Sequence, residues 1–238
     1  MSATGQSAQA ALGTLRPVAP AQAPLVLFDL DGTLADTAPD LAATANAMRS
    51  ARGLAPLPYA ELRPLASHGA RGLIGRALGR TPVHDDFIAL RDEFFARYES
   101  ALCVHSRLFN GIEALLAGLE ADGRRWGIVT NKMARFTDPL VRALALHPRA
   151  ACVVSGDTTA HAKPHPAPLL HAAHLAGLAP TTAVYVGDDL RDIEAGRAAG
   201  MRTIAVRYGY LGEATPIEAW GADHIVDEPA DLAALLLR

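Results

Sequence analysis

Leu25-Val26-Leu27-Phe28-Asp29-Leu30-Asp31-Gly32-Thr33 is the stretch that decides the fold. Its opening apolar residues run on without polar alternation, as in a strand buried on both faces, and Asp31-Gly32-Thr33 closes the run as a turn. Similar short apolar runs recur at 126–129, 151–154, 183–186, 203–206 and 224–226, which makes six candidate strands. Segments with helical spacing lie between the later runs. Ile112, Leu115, Leu116 and Leu119 form one stripe, Leu140, Leu144 and Ala145 a second, and Leu169, Leu170, Ala173 and Leu175 a third. Strands alternating with helices of this length predict right-handed crossovers and therefore an α/β fold, a doubly wound parallel sheet covered on both faces. Ligands of such sheets sit beyond the carboxyl ends of the strands, so the polar residues that close each strand are the ones to inspect.

The rhythm breaks once, between Asp31 and Thr130, an interval several times the later strand spacing. Helices are expected there over 39–50, 70–78 and 85–102. The first is opened by Thr37 and Asp40 in capping-box spacing and stopped at Gly53, and the third carries Phe87, Leu90, Phe94, Phe95 and Tyr98. The expected organisation is a leader over 1–23, an α/β core over 24–37 and 106–238, and an inserted all-helical cap over 38–105.

Composition narrows the class. The chain has 238 residues, of which 50% are hydrophobic and 20% charged, so it can bury a core and is not a disordered or fibrous sequence. A net charge of −3 provides no global basic field, which argues against nucleic acid and anionic membrane as partners. The apolar run over 232–237 is far too short to cross a bilayer. Cys103 and Cys152 make no disulfide framework and no zinc-finger spacing, consistent with reduced thiols in a cytoplasmic protein. Ala21-Gln22-Ala23 has the form of a cleavage site, but 1–23 lacks a basic and an apolar region and reads as a flexible leader.

The strand ends carry Asp29 and Asp31 after the first run, Thr130-Asn131-Lys132 after the second, and Gly187-Asp188-Asp189 with Asp192 after the fourth; Lys163-Pro164 follows the third. Residues two apart on a strand share a face, so Asp29 and Asp31 can point into one site, and Asp188 would add a third acid. Crowded carboxylates cannot all stay ionised without a cation, and a hard oxygen site that shares ligands with water and a phosphate suits Mg2+. Each residue also has an ordinary reading. Asp-x-Asp-Gly is a common turn, Asp188-Asp189 and Thr130 can cap helices, and Lys163 can be a solvated charge; their coincidence at strand ends favours a site.

Asp29-Leu30-Asp31-Gly32-Thr33-Leu34-Ala35-Asp36-Thr37, Thr130-Asn131-Lys132, Lys163-Pro164-His165-Pro166 and Val186-Gly187-Asp188-Asp189-Leu190-Arg191-Asp192 together resemble the four ordered motifs of the haloacid dehalogenase superfamily. Within it, the chain resembles the phosphoglycolate phosphatase-like enzymes with a helical cap after the first motif. Residues 104–109, 126–132, 206–210 and 220–223 resemble those of bacterial N-acetylmuramic acid 6-phosphate phosphatases of cell-wall recycling. The resemblance implies Asp29 as nucleophile forming an aspartyl phosphate, and Asp31 as general acid and then base. It further implies Thr130 and Asn131 on the phosphoryl group and Lys163 neutralising charge. Mg2+ would lie on the Asp29 and Asp188 carboxylates and the backbone carbonyl of Asp31. An acid at Asp31 favours phosphate-ester chemistry over dehalogenation, because a halide leaves without a proton. Asp189 and Asp192 are expected to support ligands rather than be ligands.

Substrate choice is expected from the cap. In the loop over 67–72, His68 and Arg71 are candidate substrate contacts, Arg71 as a bidentate carboxylate binder or as a plain surface residue. The expected partner is a small phosphate monoester, N-acetylmuramic acid 6-phosphate first and phosphoglycolate second. A β-phosphoglucomutase-like phosphoryl transferase and a non-catalytic binding protein are the alternatives from other classes. Hinges for cap motion are expected over 35–38 and 105–109.

Overall fold

The computed structural model describes residues 18–211 and 215–237. Its main sheet has six parallel strands. In chain order, β1 (Leu25–Phe28) is followed by a short β2 (Ala35–Asp36) and then by helices α1 (Ala38–Ser50), α2 (Tyr59–Leu62), α3 (Gly69–Leu78) and α4 (Phe87–Ser100). A second short strand, β3 (Arg107–Leu108), leads to α5 (Ile112–Ala121), β4 (Arg125–Val129), α6 (Ala134–Ala143), β5 (Val153–Val154) and α7 (Ala167–Leu175). The chain closes with β6 (Ala183–Gly187), α8 (Leu190–Ala198), β7 (Arg202–Val206), β8 (His224–Val226) and α9 (Pro229–Leu236). The sheet order is β5-β4-β1-β6-β7-β8. Every run read as a strand lies in this sheet, and the doubly wound parallel fold is the one observed.

β1 shows why its sequence does not alternate. Val26 and Phe28 pack on one face with Ile112, Leu115, Leu119, Leu232 and Leu236. Leu25 and Leu27 pack on the other with Leu169, Ala172 and Ala173. Both faces are dry, so both residue sets must be apolar. Two helical stripes shift from expectation. α6 stops at Ala143, Ala145 turns to φ +57, and the helix buries Phe136, Thr137, Leu140 and Val141 instead. On α7, Leu170 and Leu175 are exposed, while Ala172 takes the inward position.

Helices α1 to α4 lie between β2 and β3, which pair antiparallel as Ala35 with Leu108 and Asp36 with Arg107. Their apolar cluster joins Leu41, Met48, Leu62, Leu73, Phe94 and Tyr98, and takes in Phe136 and Tyr210 from the sheet side. The expected capping box at the start of α1 is absent: neither Thr37 nor Asp40 bonds there as such. Asp40 instead accepts the backbone N–H groups of His105 and Ser106 and the Ser106 hydroxyl, at 2.8, 2.9 and 2.6 Å, which ties both crossing segments together. The two ends of the expected leader also part company. Residues 1–17 lie outside the described residues, whereas Pro20 and Ala23 are buried and their carbonyls accept from Arg124. The stretch over 18–23 is thus packed against the core rather than free of it.

Candidate active site

The site lies where β1, β4, β5 and β6 end. Asp29 follows β1 directly, its N–H donating to the Val186 carbonyl at 2.9 Å, so the sheet itself fixes its position. Lys163, buried in the loop after β5, places Nζ within 2.6–2.9 Å of Asp29 Oδ1, Asp192 Oδ1, Tyr185 Oη and the Val129 carbonyl. Three ammonium protons thus face four oxygens, and the Tyr185 hydroxyl donates its own hydrogen bond to the Val129 carbonyl or Asp192. Burial drives the Lys163 pKa down, yet Asp192 and Asp29 more than offset it and leave a net upward shift.

Asp188 is held from three sides. The Thr33 hydroxyl donates to Oδ1 at 3.0 Å and the Tyr210 N–H to Oδ2 at 2.8 Å. Gly32 stands at φ +90, and a Cβ there would lie 2.2 Å from Asp188 Oδ2, so the turn after β1 needs glycine for both conformation and space. Tyr210 also ties the acid to the crossing into α1: its hydroxyl accepts the Thr37 and Ala38 N–H groups at 2.6 and 2.9 Å and donates to Asp36 at 2.7 Å.

Asp29, Asp188 and Asp192 each bring a carboxylate oxygen within 4.8 Å of the others. Burial pushes the Asp29 carboxyl up to about 7, with Lys163 opposing and Asp192 and Asp31 adding to the rise. Burial also drives Asp188 well above the usual carboxylate range, reinforced by Asp29 and Asp192. Such a donor set fits a divalent cation, which would restore the ionised forms. Asp192 accepts from Lys163, Tyr185 and the Asp189 N–H, against two donors on Asp188 and Lys163 alone on Asp29, so Asp29 and Asp188 keep the more open lone pairs.

The Asp29 carboxyl binds its proton more tightly folded than unfolded, between 3.8 and about 7. Stability is therefore present below that window and lost as pH rises through it, on the order of a few kcal/mol. A divalent cation competes with those protons, so the increase in Tm on adding MgCl2 to chelator-treated protein is expected to be larger at pH 8 than at pH 5. Equal increments at the two pH values would show that the cluster is not the binding site.

The Asp31 carboxylate turns away from the acid cluster toward the helical insertion. Its Oδ1 accepts from Lys132 Nζ at 2.8 Å and from the Thr37 hydroxyl at 2.5 Å, and Oδ2 has no partner among the described residues. Its carboxylate is not part of the cluster formed by Asp29, Asp188 and Asp192, so a contribution of Asp31 to a cation there would come from its backbone carbonyl. Its motif position alone gives Lys132 no role. Its ammonium, buried and 4.9 Å from the Tyr98 ring centroid, joins α4 to the candidate acid. Burial lowers the Lys132 pKa, but Asp31 and Tyr98 together outweigh it and the net shift is upward. A buried lysine needs a carboxylate, and Asp31 is the one supplied.

A cavity of about 280 Å3 opens above this floor. Asp29, Asp31, Thr130, Asn131 and Lys163 line it from the core, and Leu41, His68, Phe94, Phe95 and Tyr98 from the insertion. Thr130 and His68 are where the sequence reading puts them. Asn131 borders the cavity, but its amide grips the Lys163 backbone through two 2.9 Å hydrogen bonds; it positions the lysine rather than offering its side chain to a substrate. Of its two readings, Arg71 takes the surface one. It is exposed and borders a separate open hollow outside the cavity, because the first turn of α3 carries it outward; Arg191 lines the cavity instead.

Known proteins resemble this chain over most of its length. Residues 26–206 match the profile of the haloacid dehalogenase-like hydrolases. The chain belongs to the haloacid dehalogenase-like hydrolase family. An N-acetylmuramic acid 6-phosphate phosphatase of Pseudomonas putida is 46% identical over 211 residues, 89% of this chain and 95% of the relative. A phosphoglycolate phosphatase of Xanthomonas campestris pv. campestris is 48% identical over 211 residues, 87% of this chain and 93% of the relative. Among solved structures, one described as a predicted phosphoglycolate phosphatase from Haemophilus somnus superposes with a TM-score of 0.78 at 30% identity, covering 90% of this chain and 98% of that one. With such relatives the chain is an enzyme, a phosphatase of this haloacid dehalogenase-like family. No described helix is long and apolar enough to cross a membrane.

Proposed function

We propose that the protein is a Mg2+-dependent phosphomonoesterase that works through a phosphorylated Asp29, with N-acetylmuramic acid 6-phosphate as leading substrate. The observation that carries this reading is the convergence of Asp29, Asp31 and Lys163 on one cavity floor, with Asp188 gathered against Asp29 just beneath it. Asp29 attacks phosphorus in line and displaces the alcohol. Lys163, fixed among four oxygens, stabilises charge on the nucleophile and phosphoryl group, and Thr130 supplies a hydroxyl beside them. Asp29 and Asp188, with the Asp31 carbonyl, are the residues that would hold Mg2+, whose charge supports binding of the phosphoryl oxygens. Asp31, anchored through one oxygen, gives a proton from the other to the leaving alkoxide and then takes one from the water that attacks phosphorus, which breaks the aspartyl-phosphate bond and frees Asp29 and phosphate.

The aromatic wall of Phe94, Phe95, Tyr98 and Phe136 favours the sugar phosphate, since it offers apolar contact that a two-carbon acid cannot use. The phosphoglycolate-named relative at 48% identity supports that ester as the second reading. Comparison of kcat/KM for the two compounds and a panel of sugar phosphates decides between them; uniformly poor rates would overturn both. Incorporation of oxygen from isotopically labelled water into released phosphate is expected, whereas phosphate retained on a sugar would indicate a mutase.

Asp31→Asn tests the acid role. Turnover of an alkyl phosphate is expected to fall by about 10²–10⁴-fold. The first turnover of p-nitrophenyl phosphate, whose leaving group departs without a proton, should slow far less and appear as a pre-steady-state burst ahead of slow phospho-enzyme hydrolysis. Equal losses on both esters, without a burst, would remove Asp31 from proton transfer.

A further inference from the structure

We propose that Arg191 binds an acid group of the substrate, so that the enzyme selects phosphate monoesters that carry a carboxylate. This deepens the phosphomonoesterase reading and rests on it.

The cations that line the cavity are differently committed. Lys163 and Lys132 are buried and engaged with Asp29, Asp192 and Asp31. Arg191 differs: its Nε and Nη2 grip Asp189 at 2.8 and 2.7 Å, and Nη2 also reaches the Ser67 carbonyl at 2.8 Å. Nη1, with two N–H donors, has no hydrogen-bond partner among the described residues. The side chain is 36% exposed and borders both the cavity and the outer hollow, which places it at the mouth.

Asp189 does not cancel this role; it prepares it. As N-cap of α8 it accepts the Arg191 N–H at 2.9 Å as well as one edge of the guanidinium. The fork is thereby held in one orientation before a ligand arrives, and a carboxylate meeting the free donors forms charge-assisted bonds at little entropic cost. The surroundings suit an anion. Gly69 and Ala70, the first residues of α3, line the same cavity, and no side chain caps that helix. The Ser67 contact ties the arginine to the loop that precedes α3, so the acid group would be read where insertion and core meet.

Matched esters with and without the acid test this. Phosphoglycolate is set against ethyl phosphate, and N-acetylmuramic acid 6-phosphate against N-acetylglucosamine 6-phosphate, which lacks the lactyl carboxylate. The parent enzyme is expected to prefer the acid member of at least one pair by about 10- to 100-fold in kcat/KM. In Arg191→Gln that ratio should fall to within about threefold of one, chiefly through a higher KM for the acid ester. Arg191→Lys, which keeps the charge but not the fork, should leave an intermediate ratio, and it provides the measurement if the glutamine variant does not fold. A parent enzyme indifferent to the acid group, or variants that slow both members by one factor and keep the ratio, would overturn the assignment. A folded enzyme that hydrolyses p-nitrophenyl phosphate but none of the four esters would overturn the substrate reading on which this proposal rests, and one that hydrolyses none of the five would overturn the proposed Asp29 mechanism.

Discussion

Asp29→Asn is expected to lower kcat/KM by about 10⁴-fold or more while leaving the fold intact, or even firmer. An amide cannot attack phosphorus, and loss of a nucleophile from a residue set that acts as a unit removes nearly all its contribution. Stability moves the other way. Burial holds the Asp29 carboxyl near 7 against a usual 3.8, so at pH 8 the folded protein must keep a reluctant charge. The neutral amide avoids that cost, and Lys163 still has Asp192, Tyr185 and Val129 for its three protons. In chelator-treated protein at pH 8 the variant should melt at or above the parent's Tm, and the advantage should shrink toward pH 4, where the parent carboxyl is protonated too. Turnover near the parent's rate would end the covalent mechanism. A large loss of Tm at pH 8 would mean that Asp29 serves the fold rather than the reaction.

The opposed effects reflect how the site is built. Asp29, Asp188 and Asp192 are gathered out of water by the sheet, and Lys163 cannot neutralise all of them. That excess negative charge is what a cation and the attack on phosphorus both exploit.

The core was legible because its strands are buried on both faces, which forces uninterrupted apolar runs whatever the neighbours are. Asp29, Thr130, Lys163 and Asp188 were legible for a related reason: chemistry in this fold collects at strand ends, and strand ends can be counted. Local capping was misread at Thr37 and Asp40 because their spacing favours a capping box, but long-range partners outcompete it. The Thr37 hydroxyl goes to Asp31, and the Asp40 carboxylate to His105 and Ser106. Lys132, Tyr185 and Tyr210 acquire roles only from what the fold brings opposite them, and no sequence period encodes that. Arg71 and Arg191 make the point most sharply. Both stand near loops with plausible chemistry, and helix phase, which a loop boundary obscures, turns one outward and the other to the mouth of the cavity.

Lys163→Met is expected to damage fold and reaction together, unlike Asp29→Asn. Methionine has nearly the reach of lysine but donates nothing, so Asp29, Asp192, Tyr185 and the Val129 carbonyl lose a common donor in a buried site. Removing one partner of a buried ion pair typically costs about 3–5 kcal/mol, because the remaining charge has neither water nor a counterion. The cost should depend on pH. Without the ammonium that holds it down, the Asp29 pKa rises further, and the window over which stability falls extends to higher pH. The Tm deficit relative to the parent should therefore widen from pH 5 to pH 8, and MgCl2 should recover part of it if the cation occupies the Asp29–Asp188 cluster. Turnover at saturating metal should stay about 10²–10³-fold below the parent, since the charge on the transferring group loses a preorganised donor. Lys163→Arg separates charge from fit: a planar fork cannot meet four oxygens arranged around one nitrogen, so it should recover stability better than rate. A methionine variant with normal turnover, or a deficit that does not change with pH, would mean that Lys163 is not the counter-charge of the nucleophile.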